Sequence, residues 1–205
     1  MKTLQTERLL LRPFEWADFE EFHRLAYADP AVAPWWTGRT KTLDEVRGAF
    51  AAKVEQRAGQ PGWLAIVLRD SGVLIGAIAL QRWRADEDAS WLVPADPADA
   101  PTRDPDVVEV ELAYVLGRPY WGLGYATEAA RAVLDYGFGE LGVRRVISPI
   151  FGDNERSIAL ARRVGCRVVP NLHPRPSRFS DVPGVIAILD RSEHRLLPPS
   201  ERVPG

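Results

Sequence analysis

The stretch Glu109-Val110-Glu111-Leu112-Ala113-Tyr114-Val115-Leu116-Gly117-Arg118-Pro119-Tyr120-Trp121-Gly122-Leu123-Gly124-Tyr125-Ala126-Thr127-Glu128-Ala129 constrains this chain more than any other. A run of strand formers ends in a turn punctuated by glycine and proline, and a helical pattern begins at once. Such a turn sets several unpaired N–H groups beside the positive end of a helix dipole, which is a cradle for an anion. Gly122 and Gly124 remove the side chains that would hold a diphosphate off the backbone, and Ala126 keeps the first helical turn thin. The competing reading is a tight turn with no ligand. Among phosphate loops, a Walker loop is excluded because no Gly-Lys-Ser/Thr closes the turn. A dinucleotide fingerprint is weakened because Thr127 stands where the third glycine belongs and no acid follows at the ribose distance.

Around this stretch, hydrophobic period predicts a strand over residues 7–13 closed by Pro13, then a helix with Phe19, Phe22, Leu25 and Ala26 on one face. Thr42-Leu43-Asp44-Glu45 is a capping box opening a second helix, with Val46, Phe50 and Val54 along it. Residues 63–68 and 73–80 flank Asp70-Ser71-Gly72 and read as a β-hairpin. Residues 84–106 have no sustained period and carry Asp86, Glu87, Asp88, Asp96, Asp99, Asp104 and Asp106, the pattern of an inserted loop. It is either solvated surface or a field that attracts cationic substrates. A strand over 107–116, a helix over 127–141 and a strand over 145–150 follow. Asn154 caps a further helix that ends at Gly165, two short strands close the fold, and residues 198–205 read as a frayed tail. The expected fold is mixed α/β, with a mainly antiparallel central sheet of about seven strands flanked by helices on both faces.

At 205 residues the chain is expected to form one domain. Its 26 basic and 28 acidic residues give a net charge of −2, so no overall field attracts nucleic acid or an anionic membrane. The single cysteine, Cys166, and three histidines exclude an intrachain disulfide and a cysteine-rich zinc site. No apolar run is long enough to span a bilayer, so a cytoplasmic protein is expected.

These motifs resemble the GNAT acetyltransferase superfamily, whose pyrophosphate loop Gln/Arg-x-x-Gly-x-Gly/Ala corresponds to Trp121-Gly122-Leu123-Gly124-Tyr125-Ala126. The resemblance is closest to the branch that acetylates ribosomal-protein N-termini and small amines. That branch shows a Thr-Glu-Arg-Leu-x-Leu-Arg start, here Thr6 to Arg12, a Tyr-Trp-Gly-x-Gly-Tyr-Ala-Thr-Glu-Ala core, here Tyr120 to Ala129, and Asn-x-x-Ser, here Asn154 and Ser157. The chain departs from the family pattern at Trp121, where Gln or Arg would be a phosphate ligand, and at Cys166, where the family has Phe.

The resemblance implies acetyl-CoA as co-substrate, with Trp121, Gly122, Leu123, Gly124, Tyr125, Ala126 and Thr127 around the pyrophosphate. It also implies main-chain contacts from Val115 and Leu116 to the pantetheine, and a reach from Asn154. No metal is implied, because a thioester is already activated. The reaction implied is direct transfer of acetyl to a primary amine, of a protein N-terminus or a small molecule, by a monomer or homodimer. The rival is a non-catalytic acyl-CoA-binding or regulatory module.

The amine must lose a proton, and an α-amine titrates near pH 8 while a lysine amine titrates near 10.4, so a base can contribute. Glu109 and Glu111 alternate to one face of their strand. Glu111 lies nearer the expected thioester and is the candidate base, against water or substrate positioning, while Glu109 is a candidate substrate contact. Ser157 is the candidate acid for the leaving thiolate. Trp35 and Trp36, in the segment that overhangs the acceptor site in the family, either line that site or pack in the core.

Overall fold

Pro13 stands just past the strand Leu9–Arg12, and Gly72, at φ 70°, lies in the turn between the paired strands Trp63–Leu68 and Leu74–Arg82, as the sequence predicts. The computed structural model describes residues 1–57, 59–83, 92–102, 104, 106–173 and 182–196. Its strands are β1 (Leu4–Gln5), β2 (Leu9–Arg12), β3 (Trp63–Leu68), β4 (Leu74–Arg82), β5 (Glu109–Leu116), β6 (Arg145–Ile150), β7 (Arg167–Pro170) and β8 (Val185–Asp190). They pair in the order β1-β2-β3-β4-β5-β6-β8-β7. Described helices are α1 (Phe19–Phe22), α2 (Ala33–Thr37), α3 (Leu43–Val54), α4 (Tyr125–Gly139), α5 (Glu155–Arg163) and α6 (Arg191–Leu196). The mixed, mainly antiparallel sheet is as expected, with eight strands; β1 is two residues long, too short to leave a period in the sequence. Asp86, Glu87, Asp88 and the tail 198–205 lie outside the described residues.

The chain divides into two compact units, Met1–Leu80 with Ala113–Val133, and Gln81–Leu112 with Leu134–Gly205, so β4 and β5 contribute to both. In the first unit the expected single helix after Asp18 is α1 followed by a π turn at His23–Tyr27, in which Ala28 N–H reaches the His23 carbonyl at 2.9 Å. The wider turn still buries Leu25 and Ala26 as the period requires. Phe14, Phe19, Phe22 and Phe50 pack into one aromatic core, with centroids 4.9 Å apart for Phe14–Phe22 and for Phe19–Phe50. The Thr42 capping box forms, with Glu45 N–H on Thr42 Oγ1 at 3.4 Å and Thr42 N–H on Glu45 Oε2 at 2.8 Å.

Gly76 lets β4 approach β5 closely: a Cβ there would stand 2.2 Å from the Val115 carbonyl oxygen and 2.7 Å from Leu116 Cδ2. Gly117 N–H donates to the Ile75 carbonyl at 2.9 Å.

In the second unit the parallel β5–β6 ladder covers only Glu109↔Arg145 and Val110↔Val146. Two residues on, Ser148 Oγ accepts from Leu112 N–H at 3.0 Å and donates to the Leu112 carbonyl at 3.2 Å, a side chain standing in for the next rung. Asp99, expected in a loose acidic loop, forms a bidentate pair with Arg167 at 2.6 and 2.5 Å and is buried. The Arg167 guanidinium holds the Asp99 carboxyl below its ordinary range.

Candidate active site

The chain leaves β5 through one 3-10 turn at Arg118–Tyr120. Trp121 Nε1 then donates to the Leu116 carbonyl at 2.8 Å, so this side chain braces the strand end where the family pattern has a phosphate ligand. Gly122 and Gly124 follow with φ of 77° and 85°, the left-handed region that any side chain disfavours. Leu123 between them is 52% exposed. The first amide of α4 to find a partner within the helix is that of Glu128, on the Gly124 carbonyl at 3.0 Å. The amides of Tyr125, Ala126 and Thr127 therefore form the unsatisfied first turn beside the two glycines.

The loop is clamped from the N-terminal motif. Glu128 Oε1 accepts from Thr6 Oγ1 at 2.6 Å and from Arg8 N–H at 2.8 Å, and Glu128 Oε2 accepts from Arg8 Nε at 2.7 Å. Arg8 Nη1 donates to the Leu123 carbonyl at 3.0 Å, and the guanidinium lies 4.6 Å over the Tyr125 ring. Burial raises the Glu128 pKa, but the bonds from Thr6 and Arg8 and the Arg8 charge outweigh it and hold the carboxyl below its ordinary value. Two motifs that the sequence shows separately are thus one structure.

Hydrogen-bond parity along β5 decides which main-chain groups face which edge. Gly117 N–H and the Glu109 carbonyl both bond β4 residues or their continuation, Ile75 and Trp83, so odd-numbered residues turn their polar groups that way. Even-numbered Leu112 turns to the opposite edge, where it meets Ser148. Val115, expected as a pantetheine contact, therefore has its main chain directed at β4, with its carbonyl oxygen over Gly76. The Leu116 carbonyl is taken by Trp121.

Glu109 and Glu111 separate. Glu109 is 3% exposed, its Oε2 accepts from Thr102 N–H at 2.6 Å, and Arg144 and Arg145 lie at 3.8 and 4.0 Å from Oε1. Expected as a substrate contact, Glu109 is buried in a cluster with Arg144, Arg145 and Thr102. Glu111 is half-buried two residues along the same strand. Asn154 caps α5, its Oδ1 accepting from Ser157 N–H at 3.2 Å, which leaves the amide nitrogen as its remaining polar group. The pair Asn154 and half-buried Ser157 is thereby brought together at one helix start.

The tryptophan pair also splits. Trp36 packs edge-on against Trp63 with centroids 5.2 Å apart, whereas Trp35 is 41% exposed on α2. Trp36 thus packs within the fold, and Trp35 faces outward. Lys53, on the apolar side of α3, is buried with Nζ 4.3 Å over the Trp63 ring, and burial lowers its pKa to about 8. Cys166 is buried and its thiol is pushed up to about 12, which removes it as a nucleophile. Among the described residues no group of three or more His, Cys, Asp or Glu side chains could hold a metal ion, and no helix is long and apolar enough to cross a membrane.

The sequence profile of the Acetyltransferase (GNAT) domain family matches residues 8–167. The chain belongs to the GNAT acetyltransferase family. That span runs from the Arg8 clamp through the glycine turn to Asn154 and Ser157. The uncharacterized N-acetyltransferase p20 of Bacillus licheniformis is 27% identical over 165 residues, covering 78% of this chain and 79% of p20. A solved acetyltransferase from Agrobacterium tumefaciens is 28% identical with a TM-score of 0.65, covering 92% of this chain and 94% of that one. RimL, a ribosomal L7/L12 alpha-N-protein acetyltransferase solved with coenzyme A, shares the fold at a TM-score of 0.69 and 13% identity over 92% of this chain and 98% of its own. This GNAT member is an acetyltransferase, and the cradle described above lies inside its family region.

Proposed function

We propose that this GNAT acetyltransferase, acting as one catalytic domain, moves acetyl from acetyl-CoA directly to a primary amine, on a protein N-terminus or a small molecule. The observation that carries the reading is the glycine turn: both glycines are left-handed, and nothing lies within 4 Å of a Cβ added at Gly122. A bulky diphosphate can approach that backbone, and the first-turn amides of a helix such as α4 offer donors to an anion beside it. That RimL was solved with coenzyme A supports CoA as the ligand.

In this reading Gly122, Gly124, Tyr125, Ala126 and Thr127 hold the diphosphate by their main chain. Main-chain groups at Val115 and Leu116, at the end of β5, bond the pantetheine in the manner of an added strand, with the Leu116 carbonyl already engaged by Trp121. The Asn154 amide nitrogen is a further pantetheine donor. Bound acetyl-CoA supplies a thioester carbonyl already open to attack. Glu111 takes the proton of the ammonium, directly or through one water, so that the neutral amine nitrogen bonds the carbonyl carbon as the C–S bond breaks. The Ser157 hydroxyl gives the departing thiolate its proton and is restored by the second proton that the nitrogen loses as it becomes the amide; with a thiol pKa near 8.5, that assistance is modest. Trp35 lines the approach of the acceptor. The reaction belongs in the cytoplasm, with the enzyme a monomer or homodimer that needs no metal, nucleic acid or membrane.

The test is thiol release from acetyl-CoA against a panel of amines: N-terminal peptides, amino acids, polyamines and aminoglycosides. Release that depends on one class identifies the acceptor, and no amine-dependent release from any class refutes the reading.

A further inference from the structure

The side chain missing at Trp121, where the family pattern carries a phosphate-binding Gln or Arg, has a replacement elsewhere in the chain. Arg8 is 120 residues away in sequence from Glu128 and directly beside the turn in space. Its Nε is fixed on Glu128 Oε2 at 2.7 Å and its Nη1 on the Leu123 carbonyl at 3.0 Å. Nη2 is then directed at the glycine turn: a Cβ on Gly124 would meet it at 3.2 Å. The side chain is 44% exposed, so the guanidinium is pre-set by two bonds and by the Tyr125 ring yet open to a ligand.

We infer that Arg8 is a ligand-binding residue that donates from Nη2 to an anionic phosphate oxygen held in the glycine turn. The inference rests on the reading of the turn as a CoA diphosphate site. A guanidinium fixed in this way loses little side-chain freedom on binding, and a charge-assisted bond to phosphate is stronger than a neutral one. Glu128 orients the cation and also subtracts from its field, which gives the two partners opposite roles.

Opposite roles yield a test that a merely structural clamp does not pass. Calorimetric Kd values for CoA and for dephospho-CoA are measured for wild type, Arg8→Ala, Arg8→Lys and Glu128→Gln, each with its thermal midpoint. Arg8→Ala weakens both ligands by the same factor, about 10- to 100-fold, the size of one lost charge-assisted bond. Equal loss for both ligands assigns the contact to the diphosphate and not the 3′-phosphate. Arg8→Lys, which keeps the charge, recovers part of the affinity. Glu128→Gln lowers the thermal midpoint and holds or tightens CoA binding, because the carboxylate facing the anion is gone while Leu123 still holds the guanidinium. If Glu128→Gln weakens CoA as much as Arg8→Ala does, Arg8 serves only to brace the loop and the inference falls. Wild-type binding with unchanged affinity in Arg8→Ala overturns the inference alone; a wild-type protein that binds no CoA overturns the diphosphate reading with it.

Discussion

Replacing Gly124 by valine separates the ligand-binding role of the turn from its structural one. At a φ of 85° a β-branched residue is strained by roughly 2 kcal/mol. The added Cβ meets only Arg8 Nη2, at 3.2 Å, the far end of a flexible side chain that can yield. A loss of about 2 kcal/mol leaves a domain of ordinary stability folded and lowers Tm by roughly 4–8 °C at this size. The isopropyl group, however, stands where a diphosphate would rest on the first-turn amides. Losing two charge-assisted N–H bonds, each about 1.5–3 kcal/mol, raises the Kd for CoA by roughly 10²- to 10⁴-fold. Gly142→Val is the matched control: Gly142 has φ 69° and nothing within 4 Å of its Cβ position, but it follows α4 and not the turn. It shares the Tm loss and keeps CoA affinity. Calorimetry with circular dichroism on both variants makes the comparison. A folded Gly124→Val that binds CoA as wild type does, or a Gly142→Val that loses affinity equally, refutes the cradle.

Glu111→Gln should preserve Tm and CoA affinity and reduce turnover by roughly 10²- to 10⁴-fold, with the ascending limb of the rate profile, which rises with pH through one ionisation in the wild type, moving toward the amine's own pKa; steady-state kinetics across pH decide it. Glu109→Gln should do the reverse, lowering Tm through the Arg144–Arg145–Thr102 cluster with turnover nearly intact. Lys53→Met tests the buried amine. The folded pKa of about 8 lies below the 10.5 of the free group, so between those values the unfolded chain holds one proton more and wild-type stability rises with pH, by at most about 1.4 kcal/mol per unit. Denaturant titrations should show that rise diminished in Lys53→Met. Cys166, with its thiol near 12, should resist a disulfide reagent in the native protein and react on unfolding, and rapid native labelling would contradict its burial.

What the sequence made legible was what local chemistry controls. A left-handed glycine pair, a capping box and a hairpin turn depend on residues a few positions apart, and Gly122, Gly124, Thr42 and Gly72 behave as their surroundings dictate. Strand alternation leads to the expectation that Glu109 and Glu111 share one face of β5; that Glu109 is the buried one comes from Thr102, Arg144 and Arg145, which no period in β5 encodes. The edge that each β5 rung faces was hidden for the same reason: it depends on Ile75 and Ser148, in other strands. Arg8 and Glu128 each lay within a recognised motif, and their bond, spanning 120 residues, appears only in three dimensions. Trp35 and Trp36 are adjacent in sequence, and the helical rotation between them sends one to solvent and the other against Trp63.

Acetyl transfer itself is the most direct measurement. Purified protein is incubated with acetyl-CoA and each amine of the panel, and free thiol and acetylated amine are quantified together, with Gly124→Val alongside. Equal molar amounts of thiol and N-acetyl product are expected for at least one primary amine, with a rate in Gly124→Val reduced at subsaturating acetyl-CoA. Thiol release that is independent of any amine, or a wild-type protein that binds CoA and acetylates nothing, would contradict it.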